Sequence, residues 1–156
     1  MRRNYRASAY ASVVENLAAT IPGIGIGADV LVGFPTETAD DFKMTLGLIQ
    51  RLPIAFIHAF SFSPRPTTPA ASMTQLPPRE VAARMGEIMA LAAQKKRAFI
   101  ESQRGQRLRA IALSKEILTD NFIKAPLSGA PAQRNTFLDV AIEIENGGKP
   151  IATRLT

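Results

Sequence analysis

At 156 residues, with 46% apolar side chains and a formal charge of +6, the chain is long enough for one domain or two small ones and can bury a core. It has no cysteine and a single histidine, His58, which excludes disulfides, a cluster held by its own thiolates and a multi-histidine metal site within one copy. No apolar run approaches the roughly 18 residues of a membrane helix, and the opening stretch MRRNYRASAY lacks the apolar core of a secretory signal, so a cytoplasmic location with no membrane partner is expected.

In chain order, residues 7–20 place Tyr10, Val13, Val14 and Leu17 on one helical face, and Pro22-Gly23 ends that helix. A strand is predicted over about 25–33, where Val30, Leu31 and Val32 are apolar without alternation. Gly33 and Pro35 stop it in a tight turn, either an ordinary strand-to-helix connection or a ligand-binding loop. Thr38 is placed to cap a helix over about 39–51, with Asp41 three residues on and Asp40 and Asp41 favoured by the helix dipole. IAFIHAFSFS, residues 54–63, is a second apolar strand. Helical connections between the two imply parallel strands. Both strands read as buried on both faces, yet two strands cannot cover themselves. Either other chains complete the sheet or the chain is the tail of a larger domain.

Residues 63–78 hold five prolines and read as an extended segment. Pro78 opens a long helix to about residue 103, with Val81, Met85, Ile88, Met89, Ala92 and Phe99 as its apolar stripe and Gly105 placed to end it. Four candidate strands follow in RLRAIALS, FIKAPLS, NTFLDVAIEIE and KPIATRLT. Asn121, Ser128-Gly129 and Asn146-Gly147-Gly148 supply the turns, which suggests a small OB-like antiparallel barrel.

Charge is uneven along the chain: residues 1–78 sum to +1 and residues 79–156 to +5. Residues 95–115 alone hold seven basic side chains against Glu101. Such a block suits a phosphate backbone, or is a solvated helix face followed by a basic strand.

Two long motifs then acquire a resemblance. RRNYRASAYASVVENLAATIPGIGIGADVLVGFPTETADDF resembles the second half of the radical S-adenosylmethionine domain of the MiaB, MtaB and RimO methylthiotransferases. HAFSFSPRPTTPAASM resembles the sixth-strand motif of that family, and the final barrel resembles its TRAM RNA-binding domain. His58 and the Ser63-Pro64-Arg65-Pro66 run look most like the MtaB branch, which acts on threonylcarbamoyl-adenosine next to the anticodon of tRNA. The resemblance implies an α/β plus β fold. Residues 1–76 would be the last part of the radical-SAM barrel, 77–104 a connecting helix and 105–156 the TRAM domain.

The same resemblance implies S-adenosylmethionine and two 4Fe–4S clusters as cofactors of the full-length family. The cluster cysteines of that family lie upstream of the matching region, and none occurs here. The chain is therefore expected to be a C-terminal fragment, inactive alone. Its expected partners are tRNA, through the anticodon stem-loop, and the missing N-terminal portion of the enzyme. The rival readings are a stand-alone RNA-binding module and an α/β subunit that dimerises through its open sheet.

Residue by residue, the resemblance places Val32, Gly33, Pro35, Thr36 and Glu37 on the methionine and ribose end of the cofactor, and Phe60, Ser61 and Ser63 near its adenine. A structural turn and a plain core strand remain the alternatives. Arg65, stiffened between two prolines, is a candidate clamp for a carboxylate or an RNA phosphate, or an exposed loop arginine. His58, within an apolar strand, reads as a core histidine. No catalytic or metal-ligating residue is expected. Lys95, Lys96, Arg97, Arg104, Arg107, Arg109, Lys115, Lys124 and Arg134 form the candidate RNA-binding set. Phe122 and Phe137 are either stacking platforms or barrel core. Thr36 and Thr67 stand where the family has glycines, which matters if either position needs a positive φ.

Overall fold

In a computed structural model, residues 6–145 and 148–155 are described. The chain forms two compact units, residues 1–95 and 96–156. The division falls inside the helix α3 (Pro78–Ser102).

The first unit contains α1 (Ala7–Thr20), β1 (Gly27–Val32), α2 (Ala39–Arg51), β2 (Phe56–Ser61), a 3-10 turn at Pro69–Ser72 and the first part of α3. β1 and β2 pair in parallel, with Asp29 opposite His58 and Leu31 opposite Phe60. The Thr38 cap forms as expected: its hydroxyl accepts from the Asp41 amide at 3.1 Å while the Asp41 carboxylate accepts from the Thr38 amide at 3.0 Å. Hydrogen bonds from the Thr38 hydroxyl and then from its backbone hold the Asp41 carboxyl below its ordinary pKa.

Two apolar clusters hold this unit. Ala11 and Val14 of α1 meet Ile26, Leu52 and Ile54, while Val30 and Val32 of β1 meet Phe42 and Ile49 of α2 and Ile88 of α3. The buried side of α1 is thus Tyr10, Ala11, Val14 and Ala18; Val13 and Leu17 lie outside it, contrary to the predicted stripe. Met89 on α3 is likewise exposed.

Burial of the sheet is one-sided, which corrects the expectation of two covered strands. The side chains of Val30, Val32, Ile57 and Ala59 pack into the helical layer. The alternate residues Asp29, His58 and Phe60 face outward and are exposed. His58 is therefore a surface residue, not a core histidine. An apolar strand reads alike whether one face or two are covered, so composition could not separate the cases.

The second unit is a five-stranded antiparallel sheet in the order β5-β4-β3-β6-β7. Its strands are β3 (Arg107–Ala112), β4 (Glu116–Thr119), β5 (Lys124–Pro126), β6 (Phe137–Ile144) and β7 (Pro150–Arg154). A bridge between Leu127 and Ala152 brings the two ends of the sheet together, so the barrel is nearly closed. Ala110, Ala112, Ile117, Ile123, Ala125, Val140, Ile142 and Ala152 fill it, with Ile100 from the end of α3. Five strands replace the four expected. The one missed, β4, follows β3 through a turn at Ser114-Lys115 with Ser114 at φ 85°, and no glycine or asparagine marks it. Of the third expected turn, Asn146 and Gly147 lie outside the described residues.

A buried polar chain runs through this unit. Asn121 donates to Gln103 Oε1 at 3.0 Å and accepts from the Thr119 hydroxyl at 2.6 Å, and that hydroxyl accepts from the Ile123 amide at 2.8 Å. Among the described residues no helix is long and apolar enough to cross a membrane.

Candidate ligand groove and basic face

In the first unit the carboxyl ends of β1 and β2 open into a cavity of about 480 Å³ lined by Leu31, Phe34, Phe60, Ser61, Phe62, Ser63, Arg65, Thr68 and Ala70. Phe34 and Phe62 meet edge to face, centroids 5.3 Å apart. The lining thus combines an apolar wall with the hydroxyl residues Ser61, Ser63 and Thr68 and with Arg65. Four residues singled out from the sequence, Phe60, Ser61, Ser63 and Arg65, come together here. Phe34, inside the 32–37 loop that drew attention, joins them, whereas Leu31, Thr68 and Ala70 were missed.

The other loop candidates are placed differently. Val32 is fully buried and faces the helical layer. Gly33 is buried at φ 81°, and a Cβ there would come within 2.9 Å of the Val81 side chain, so both backbone and space demand glycine. Pro35 and Thr36 form the middle of a turn closed by the Glu37 amide donating to the Phe34 carbonyl at 2.8 Å. Glu37 turns inward: its Oε2 accepts from the Gly33 amide at 2.9 Å and from Arg84 Nη1 at 2.5 Å. Arg84, buried on α3, also donates to the Glu37 carbonyl at 3.1 Å and to Glu80. Burial by itself would lower the guanidinium's pKa; the hydrogen bond and charge of Glu37, then those of Glu80, outweigh it and raise it. Nothing local in the sequence singles out Arg84, since a lone cation on a helix reads as a surface residue.

Arg65, Pro66, Thr67 and Thr68 make a second turn, in which the Arg65 carbonyl accepts from the Thr68 amide at 3.3 Å and the Thr68 hydroxyl at 2.8 Å. Pro66 in second place and Thr67 at φ 71° in third is the type II pattern, which ordinarily takes glycine there. Arg65 itself is exposed, and its side chain makes no ion pair with a described residue.

The basic set divides by what each cation already holds. Lys95, in the first unit, donates to the carbonyls of Gln50, at 3.0 Å, and Leu52 at the end of α2, and burial lowers its pKa. In the second unit Arg104 pairs with Glu101, Arg107 with Asp139 and Lys124 with Glu116. Lys96, Arg97, Arg109, Lys115 and Arg134 are exposed and make no ion pair with a described residue. Arg107, Arg109 and Ile111 share the outer face of β3, with Ile111 between Leu118 and Phe137. The Arg109 guanidinium lies 4.3 Å from the Phe137 ring centroid. Phe122 and Phe137, 63% and 65% exposed, are surface rings and not barrel core. Among the described residues no group of three or more His, Asp or Glu side chains is placed to hold a metal.

No family model matches the chain. It is 36% identical over 131 residues to the threonylcarbamoyladenosine tRNA methylthiotransferase MtaB of Aquifex aeolicus, covering 83% of this chain and 32% of that protein. It is 42% identical over 95 residues to the tRNA-2-methylthio-N(6)-dimethylallyladenosine synthase of Acidothermus cellulolyticus, covering 60% of this chain and 19% of the relative. The synthase of the same name from Thermobifida fusca is 47% identical over 81 residues, 52% of this chain and 16% of the relative. The chain thus spans about a third or less of the length of the curated relatives it matches. The chain's homologues are thus MtaB and MiaB-type tRNA methylthiotransferases, matched at 35–47% identity.

Proposed function

We propose that this chain serves the methylthiolation of a modified adenosine next to the anticodon of tRNA. In this reading the first unit supplies the last two strands of a radical-SAM barrel and part of the wall that holds S-adenosylmethionine, and the second, a TRAM-type barrel, holds the RNA. The observation that carries the proposal is the 131-residue match to the Aquifex aeolicus enzyme. It is longer than either compact unit, so it runs across both. A free-standing RNA-binding module would not call for that continuity. Among the relatives described, that enzyme also matches the largest share of this chain, which favours threonylcarbamoyl-adenosine over the dimethylallyl base.

The groove of the first unit has the chemistry for one cofactor. Phe34, Phe60 and Phe62 offer faces to a flat ring, Ser61 and Ser63 offer hydroxyls, and Arg65 offers a fork for a carboxylate. When bound, S-adenosylmethionine supplies the sulfonium chemistry, and these residues bind and orient it. The iron–sulfur clusters do not fit here. They need thiolate ligands, and the chain has no cysteine, so in this proposal their ligands come from sequence outside it.

For RNA, Lys96, Arg97, Arg109, Lys115 and Arg134 are the available cations and Phe137 and Phe122 the stacking surfaces. Recognition would then rest on phosphates and shape more than on base edges. The test is a fluorescence-anisotropy titration of a tRNA anticodon stem-loop at several salt concentrations. If about four cations reach phosphates, the logarithm of affinity falls against the logarithm of salt with a slope of about −3. Arg109→Ala should weaken binding and lower the slope without altering base preference. Salt-independent binding, or none at low salt, overturns the RNA role.

A further inference from the structure

We infer that Arg84 is a positioning residue: it reaches no ligand itself but, through Glu37, sets the shape of the 33–37 turn and so the place of Phe34 in the groove wall. The inference rests on the groove reading above for its functional meaning, and on geometry alone for the latch. The side-chain tether of the turn runs through one carboxylate. The Glu37 carboxylate holds the Gly33 amide at one end of the loop, and Arg84 holds both that carboxylate and the carbonyl of the same residue. Phe34 lies between these anchored ends, in the turn closed by the Glu37 amide, with its ring against Phe62. Val81, one helical turn before Arg84 on α3, fills the space beside Gly33.

The balance of charge supports a latch more than a site. Arg84 is 5% exposed and meets two carboxylates, Glu37 and Glu80. The Arg84 guanidinium also lies over the Phe42 ring, 5.5 Å from its centroid. Glu37 Oε2 is thereby committed to the turn and to Arg84. A lysine in place of Arg84 would keep one charge but lose the fork that grips a carboxylate and a carbonyl together. Glu80, much more exposed, takes the second arm of the fork.

The test reads amide hydrogen exchange and aromatic signals by NMR on the full chain with no ligand added. Arg84→Met should speed exchange of the Gly33 amide about tenfold or more, the scale of losing a charge-assisted hydrogen bond. The Phe34 and Phe62 ring signals should shift, while the Val30 and Val32 amides keep their protection. Arg84→Lys should fall between Met and wild type, and Glu80→Gln should leave Gly33 unchanged. If Arg84→Met fails to fold, Glu37→Gln decides, because it keeps the volume and a neutral acceptor: faster Gly33 exchange upholds the latch. Gly33 exchange within about twofold of wild type in the folded variant, on a scale where one lost hydrogen bond gives more, overturns it. So does equal acceleration of Val30 and Val32. A separate titration with S-adenosylmethionine tests the groove: failure of the wild-type chain to bind it counts against the groove reading and leaves the latch to the exchange data.

Discussion

The two sheets of this chain solve the same problem with opposite success. Residues 1–95 yield two parallel strands, and residues 96–156 yield five antiparallel ones. A parallel pair needs a crossover, and here α2 and its turns occupy the whole stretch between β1 and β2. An antiparallel pair needs a short turn, as at Ser114-Lys115. Strands therefore accumulate fast enough in the second unit for the sheet ends to bridge at Leu127 and Ala152. In the first unit no other described strand pairs with β1 or β2, and one face of the sheet stays bare, with Phe60 54% exposed. Edges and apolar faces left this way invite a further partner. In the reading proposed above, that partner is the rest of a larger barrel.

The largest test of this contrast is native-state hydrogen exchange. Amides paired between β1 and β2 should exchange about a thousandfold faster than those paired between β3 and β6, a difference of about 4 kcal/mol. Equal protection in a monomer would mean that the helical layer alone stabilises the small sheet as well as closure stabilises the barrel.

A pair of substitutions sharpens the same point. Ile142 is fully buried in the barrel, so Ile142→Ala should cost about 2–4 kcal/mol in urea unfolding of the second unit. Phe60→Ser, on the open face, should change the first unit by less than about 0.5 kcal/mol and reduce self-association in sedimentation. A large loss of stability for Phe60→Ser would show that the open face is covered in solution.

The contrast also sets what could be read in advance. The helices α1, α2 and α3 and the strands β1 and β2 follow from apolar period, a Thr-Asp cap and proline stops, all local signals. The barrel was legible as a class but one strand short, because the turn at Ser114 carries no glycine. Half of the groove was legible: Phe60, Ser61, Ser63 and Arg65 cluster in sequence, whereas Leu31 reaches the same cavity only through the parallel register, opposite Phe60. Which charged residues are free was not legible. Arg84 and Lys95 look like surface cations in the sequence, and their partners lie 47 and 45 positions away. Long-range pairing of that kind leaves no periodic trace.

The smallest predicted effect comes from the two turns that flank the groove, where a threonine stands at the third position of each. Thr36 keeps a negative φ, but Thr67 is held at φ 71°. A β-branched residue in the left-handed region costs about 1–2 kcal/mol. Glycine removes that strain, and its greater freedom in the unfolded chain returns about 0.5–1 kcal/mol of the gain. Thr67→Gly should therefore stabilise the first unit by about 0.5–1 kcal/mol. Thr36→Gly has no strain to relieve and only the entropy to lose, so it should destabilise by about 0.5–1 kcal/mol. Opposite shifts of the urea midpoint, followed by NMR signals of the first unit, are the expected result. Shifts of the same sign would place both threonines in one backbone region and remove the type II assignment from the turn that carries Arg65.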